Sequence, residues 1–352
     1  DIKKLNVFLC ITIIINNNNN KLNNNNNKLN MLITHEKKYM KLLEWIPLEK
    51  VNWFFLSENP HAIHILENNL DKVDWDNLSY NLSAIHLLEK NLDQVNWKNL
   101  SSNPNAIHIL ENNLDKVDWD NLSRNPNAIH ILEDNLDKMD WDNLSKNPNA
   151  IHILEKNIEK VDWYYLSKNP NAIPILEKNM EKIDWDRLSH NPNAIHILEK
   201  NLDKVNWDWL SINPNAIHIL ENFLDKVNWD NLSLNPNPNS IHILEKNLDK
   251  LYKEDWYWLS KNPNAIHILE KNMDKVNWDY LSLNPNAIHI LEDNLDKVKW
   301  NFFSSNPNIF TYDYEAIHNV LYKEDGFVEE FIQKQFHPKN MDKWDGWGFP
   351  TE

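Results

Sequence analysis

The chain has 352 residues, 41% of them hydrophobic, and its three glycines (Gly326, Gly346 and Gly348) all fall near the C-terminus. The glycine-free stretch before them argues against a Rossmann fold, a P-loop enzyme or a β-sandwich, each of which needs positive-φ turns or close backbone approach. The 52 acidic against 36 basic side chains, net −16, argue against a protein that coats DNA, and the single cysteine, Cys10, excludes an intrachain disulfide and suits a reducing compartment.

At the N-terminus, Val7–Ile15 is a nine-residue apolar run behind Lys3 and Lys4. It is too short to span a membrane, and no small-residue cleavage site follows it. The next tract, Asn16–Asn20, Lys21-Leu22 and Asn23–Asn27, is low-complexity sequence that cannot build a core. The chain begins with Asp, and its Asn, Lys and Ile are what AT-rich codons give. Residues 1–30 are therefore expected to be a disordered segment or translated upstream sequence, with Met31 the start. Residues 31–58 are expected to form an N-terminal cap and a degraded repeat.

The rest is organised by a repeat. Tryptophan recurs every 22 residues from Trp53 to Trp229, then at Trp256, Trp278 and Trp300. The long interval, 229 to 256, holds five extra residues, two in Asn235-Pro236-Asn237-Pro238 and three around Leu251–Glu254. Eleven full units run from Asn59 to Ser305. Such a fixed period is the mark of a solenoid.

In the unit Asn103–Arg124, Asn103 before Pro104 is a helix start, since Asn caps free amides and proline at the first helical position loses nothing. Ala106, Ile107, Leu110, Leu114 and Val117 then share one helical face, with Ile109 at its margin, which predicts a helix of about 14 residues. Asp118 is placed to cap a second, short helix, Trp119–Ser123, with Trp119 and Leu122 pointing inward. The fold expected is all-α, an α-solenoid of about twelve long-helix/short-helix repeats with terminal caps, drawn out as a curved rod on the order of 100 Å long. The alternating strand pattern of a leucine-rich repeat is absent. Each tryptophan is expected to fill the gap between successive long helices.

Three further columns carry weight. Asn113 and its equivalents lie inside the apolar arc, where an amide needs partners; we read them as a ladder bonded to connector backbone, broken by Phe223, where local repacking is expected. A histidine column runs from His64 to His289, with Pro174 in its place once. Its geometry fits a solvated surface row, a pH-sensitive stack beside carboxylates, or metal binding, although stacked imidazoles one helix spacing apart are too distant to share a zinc. Glu111 and Asp115 repel at i, i+4, so lysines such as Lys116 are expected to lace this face to its neighbours. Asn-Leu-Ser at Asn77, Asn99, Asn121, Asn143 and Asn231 matches the glycosylation sequon, read here as coincidence.

Two columns vary freely. In the C-terminal half they gather Tyr165, Arg187, Trp209, Ile212, Leu234, Trp258, Tyr280 and Leu283, three residues apart on the short helix and its exit. Aromatics, arginine and aliphatics on one rigid face are the composition of an interface hot spot. The competing reading is that the superhelix partly buries this face or that it has drifted neutrally. After Ser305 the repeat is abandoned. Residues 306–352 are expected to cap the last apolar face with helices around Tyr314–Tyr322 and Phe327–Gln335, followed by a tail carrying Trp344 and Trp347.

The unit Asn-Pro-Asn-Ala-Ile-His-Ile-Leu-Glu-x-Asn-Leu-Asp-Lys-Val-Asp-Trp-Asp-x-Leu-Ser resembles the short tandem repeats of proteins encoded by giant DNA viruses of the mimivirus type, over about seventy percent of the chain. The resemblance implies a cytoplasmic or virion-associated repeat protein. Departures are Leu82-Ser83 for Pro-Asn, Pro174 for histidine, and the 27-residue unit 235–261. Every candidate His, Asp and Ser is a repeat-column residue, so no catalytic, cofactor or metal residue is assigned. The expectation is a monomeric, non-enzymatic scaffold for protein partners. The alternatives are a helical-repeat reader of single-stranded RNA, against which the charge counts, or a structural component of a virion.

Overall fold

The computed structural model describes residues 40–313 together with Glu315 and Ala316. The expected N-terminal segment 1–30 and the expected helices around Tyr314–Tyr322 and Phe327–Gln335 lie outside the described residues. The chain divides into two units, one of Leu42–Ile309 and one of residues 1–41 with 310–352. Two short strands, Met40–Leu42 and Phe310–Tyr312, pair in a small sheet. Nearly all the remaining regular structure is short helices in regular pairs, an all-α solenoid. Among the described residues no helix is long and apolar enough to cross a membrane.

In the unit that starts at Asn103, one α-helix covers Ile107–Glu111 and a second covers Trp119–Ser123. These two types, here the Ile helix and the Trp helix, recur along the solenoid. The predicted 14-residue run is therefore broken. The stop is made by the backbone: the Asn113 N–H turns to the Leu110 carbonyl, and the same stop occurs without an amide at Phe223, whose N–H donates to Leu220. Where asparagine is present its amide takes up the carbonyl that the stop leaves, Asn113 donating to Ile109 at 2.8 Å. The Asn113 column is therefore bonded to its own helix within its own unit, not to connector backbone. Past the stop the helical phase is lost, and Leu114, predicted to be buried, is 38% exposed. Ala106, Ile109, Leu110, Val117 and Leu122 remain as the buried set.

The tryptophans also differ from expectation. Trp119 is only half-buried, and Lys138 of the next unit covers its ring at 4.7 Å. The same lysine lid recurs from Lys72 on Trp53 to Lys297 on Trp278. Each ring so covered is closed off by an aliphatic stem ending in a cation, an arrangement that buries apolar surface while keeping the charge wet; Trp75, where the lysine column holds Gln94, has no such lid among the described residues. Lys116 is one of these lids, over Trp97, and does not lace the acidic face.

What joins unit to unit is polar. Asn103 is 2% exposed and its amide donates to the carbonyls of Ser79 and Asn81, which flank the start of the preceding unit, at 3.1 and 3.2 Å. Its oxygen accepts from the Asn105 N–H at 3.0 Å, the capping role expected from sequence. Ser101, fully buried, donates to the Trp97 carbonyl and accepts from the Asp118 N–H of the next unit. Asn105 adds a bond to the Leu82 carbonyl, and Asp118 caps the Trp helix through the Asn121 N–H. Both amide hydrogens and the oxygen of the buried Asn side chain have partners, which is what makes its burial tolerable.

The same register continues across the chain ends. Asn59 donates to the carbonyls of Ser304 and Asn306, as Asn81 does to those of Ser57 and Asn59. The Asn52 N–H donates to Ser304 Oγ, His61 Nδ1 to the Pro307 carbonyl, and Lys50 covers Trp300 at 5.1 Å. Trp45 stacks on Phe303 at 5.5 Å, and the Leu43 N–H donates to the Ile309 carbonyl. The solenoid is therefore closed. Its twelfth unit is shared: Asn306–Ile309 supplies the start, and Leu43–Glu58 supplies the turn and the Trp helix. The expected open rod is replaced by a ring, and the last apolar face is covered by residues 43–58.

Successive Trp helices pack directly on one another, while successive Ile helices do not come as close. In a closed ring the more tightly spaced layer is the inner one. Within Leu42–Ile309, with packed helices about 8–10 Å apart and about 5–6 Å from axis to surface, the twelve inner helices line a circle on the order of 20 Å across.

Two predictions follow from this architecture. Asn147→Ala removes a fully buried amide from the carbonyls of Ser123 and Asn125, and should cost about 2–4 kcal/mol in urea unfolding, against under about 1 kcal/mol for Asn112→Ala on the exposed side. In a Cys10→Ser background, nitroxide labels at Phe54 and Asn301 should lie within about 20 Å by dipolar broadening, since adjacent packed helices stand about 8–10 Å apart; an open rod would separate them by about 100 Å.

Candidate functional site

The variable face is carried by the Trp helices. In three of the five units that keep asparagine there, the amide is spent on the neighbour: Asn77, Asn99 and Asn231 donate to the carbonyls of Phe54, Asp76 and Asp208, while the Asn121 amide turns to Asp118 of its own unit and Asn143 accepts from Lys146. Those amide nitrogens are the atoms a glycan would need, so the sequon matches at these three positions are structural. Tyr165, Arg187, Trp209, Trp258 and Tyr280 give up that bond and make ring contacts instead.

These contacts form two clusters. In the first, Lys146 Nζ lies 3.8 Å over the Tyr165 ring, Tyr165 meets Tyr164 edge-on at 5.0 Å, and the Arg187 guanidinium lies 4.0 Å from Tyr164. Arg187 is also 5.2 Å from the Trp209 ring, which His190 approaches at 5.5 Å. In the second, Tyr280 meets Trp258 edge-on at 5.2 Å and lies parallel to Tyr257 at 6.2 Å. Asn231 keeps its ladder bond between the two and separates them. Ile212, Leu234 and Leu283 are half-buried at the helix exits, as are the five larger residues. Sequence comparison of the two columns missed Tyr164 and Tyr257. Both stand in a third column, directly after the tryptophan, where Asp is the usual residue (Asp120, Asp142, Asp186, Asp208), and the same comparison extended to that column finds them.

Electrostatics mark two places on this side of the ring. His190 is held below the usual histidine range, first by burial and then by the charges of Lys168 and Arg187. At the 27-residue unit the ladder register survives, with Asn262 donating to the carbonyls of Ser233 and Asn235. The extra residues go into the loop before Ser240 and into an added turn that makes the helix Lys253–Lys261. That turn brings Asp255, only 4% exposed, against Asp230. Burial and a hydrogen bond shared with Asp230 push the Asp255 carboxyl up to about 6, against the pull of the Tyr252 N–H that it accepts. Ser233 Oγ, bonded on both sides in its equivalents, is buried here without a partner.

The histidine column resolves into pairs between units. His152, His196, His218, His267 and His289 each meet a glutamate of the preceding unit at 2.7–2.9 Å, and His108 and His130 meet Glu89 and Glu111 in the same way. Where Pro174 replaces histidine, Lys178 bridges to Glu155 at 3.7 Å. These long side chains span the wider outer layer. Among the described residues no three His, Cys, Asp or Glu side chains gather as metal ligands would. Phe223, in the Asn113 column, repacks on Trp207 at 5.2 Å.

No family model, curated protein or solved structure matches the chain. The functional reading therefore rests on this geometry.

For Asp255 the direction is fixed by its raised folded value. The fold retains a proton that the unfolded chain releases above about 4, so stability falls as pH rises from about 4 through about 6 and stays lower above it. Asp255→Asn should match the wild type near pH 4 and exceed it by on the order of 2 kcal/mol at pH 7.5 in urea unfolding. A constant difference across that range would show that the carboxyl pair does not carry a shared proton.

Proposed function

We propose that the chain is a non-enzymatic scaffold whose ring offers the aromatic face of its Trp helices to a protein partner. One observation carries this reading: at Tyr165, Arg187, Trp209, Trp258 and Tyr280 an inter-unit hydrogen bond available to asparagine is replaced by large aromatic and cationic side chains left half-exposed. A repeat selected for stability alone gains nothing from giving up that bond, whereas aromatic and arginine side chains on a rigid support are what a docking surface needs. Closure supports the same reading, because a ring loses little conformational entropy when it binds. Within the described residues both end faces of the solenoid are used in closing it, which supports action as a monomer, and the lone cysteine supports a reducing compartment such as the cytoplasm. A single-stranded RNA ligand fits the aromatics but meets Asp142, Asp186, Asp208 and Asp230 in the adjoining column, where a phosphate track needs cations.

The test is a pull-down from expressing cells with wild type and with Trp209→Asn/Trp258→Asn/Tyr280→Asn, which installs the residue other units carry. Circular dichroism and thermal melting should show the variant folded. A partner retained by wild type and lost by the variant is the expected result. Partners kept unchanged would overturn the assignment of this face.

A further inference from the structure

The first cluster opens on a groove of about 480 Å³ lined by Lys146, Tyr164, Tyr165, Lys168, Asn169, Pro170 and Arg187. Three cations line it and no carboxylate does, in a chain whose net charge is −16. Among the described residues none of the three is in an ion pair with a carboxylate. Lys146 is held by the Asn143 amide oxygen at 2.7 Å and by the Tyr165 ring. Arg187 is held flat between Tyr164 and Trp209, yet its Nε is buried and has no hydrogen-bond partner. A buried donor without a partner is costly, and so is a set of like charges without a counter-ion. His190, lowered first by its burial, is lowered further by the charges of Lys168 and Arg187.

The departures from the repeat that build this groove come together. Tyr164 replaces the aspartate found in the units on either side, Asp142 and Asp186, so the groove wall carries a ring where those units carry a carboxylate. Tyr165 and Arg187 replace asparagine in consecutive units.

We propose that this groove binds a phosphomonoester, with its oxygens on Lys146, Lys168 and Arg187 and its organic part against Tyr164, Tyr165 and Pro170. A phosphomonoester carries about −1.5 to −2 charges at neutral pH, which suits three cations better than a single carboxylate does. The planar guanidinium, already oriented by two rings, is the group that best matches phosphate oxygens. The groove has the size of small-ligand sites, and two tyrosines and a proline give it an apolar wall. A phosphodiester strand fits less well, since the column that would carry its next phosphates holds Asp142, Asp186 and Asp208. The groove shares Tyr165 and Arg187 with the proposed partner face and rests on that reading of the surface.

The test is calorimetric titration of the full chain with adenosine monophosphate, with N-acetyl-phosphotyrosine amide and with inorganic phosphate. Saturable 1:1 binding of at least one phosphomonoester is expected, weakened at least about tenfold by Arg187→Asn and by Lys168→Ser. Both changes install residues that other units carry, and Lys168 is exposed, so its loss leaves the packing intact. Tighter binding of the nucleotide would assign the phosphate to a free small molecule; tighter binding of the phosphotyrosine amide would assign it to a modified side chain of a partner. Either outcome supports the site. No saturation by about 10 mM, or affinity unchanged in both folded variants, overturns it. The double variant Trp258→Asn/Tyr280→Asn lies in the second cluster and leaves in place both the groove lining and the Trp209 ring beside Arg187. Partner loss there with intact phosphate binding supports both readings, and a retained partner without phosphate binding in wild type sinks only this one.

Discussion

The structure depends on one buried contact, the amide of the Asn103 column donating to two carbonyls that flank the start of the unit before it. Two carbonyls per junction would otherwise be shut away from water, and only a side chain of this reach, with two donors and an acceptor on one planar group, serves them while capping its own turn. This explains why the period holds so firmly. A unit of different length must still deliver its asparagine to the same pair of carbonyls. The 27-residue unit does so, with Asn262 on Ser233 and Asn235, and its five additional residues are diverted into a loop and an extra turn. The strain of that diversion appears beside the ladder, as the carboxyl pair Asp230 and Asp255 and the unpartnered Ser233.

Curvature follows from what bridges each layer. On the inner side the junctions are short: serine hydroxyl to backbone, asparagine amide to carbonyl, helix directly on helix. On the outer side glutamate and histidine reach across, and their length holds the Ile helices apart. A wedge repeated with constant angle bends the stack at a constant rate, and after twelve wedges the ends meet. The chain uses this by dividing the last wedge, so that Asn306 begins a unit which Trp53 completes. An open solenoid must blunt its end faces with polar caps. Here each end face finds the surface it was built to pack on.

Much of the fold was legible because it is local chemistry repeated. The 22-residue period, the asparagine and aspartate caps, the buried leucines and alanines, and the disturbance at Phe223 could all be read from one unit and its copies. The failures share a cause as well. Periodicity assigns faces to a helix already assumed continuous, and the backbone turns at Asn113, whose N–H bonds Leu110, so Leu114 was placed on the wrong side. The tryptophan was given a buried role on the strength of its size, when a lysine in the following unit covers it. Closure could not be read from a single unit at all: it depends on a small wedge angle summed twelve times, and no residue pair within a unit encodes that sum. The candidate face was half legible. Comparing columns found Tyr165 and Arg187, while Tyr164, which stands where the adjoining units carry aspartate, lay in a column outside that comparison.

A repeat with this ladder has little freedom to acquire a function. The Asn103, Ser101 and Leu122 columns are buried and fully engaged, so any change there disturbs two junctions. The column that starts at Asn77 differs: its amide bonds an exposed carbonyl that water can serve equally well, so losing it costs the ring little. That makes it the place where large side chains can be introduced one unit at a time. Each newcomer also lies one helix spacing from its equivalents, close enough for a tyrosine in one unit to orient an arginine in the next, as Tyr164 does for Arg187. Chemistry assembled this way is shared between units from the outset. A site on such a ring therefore emerges as a run of neighbouring departures, and the run from Lys146 to Trp209 is of that kind.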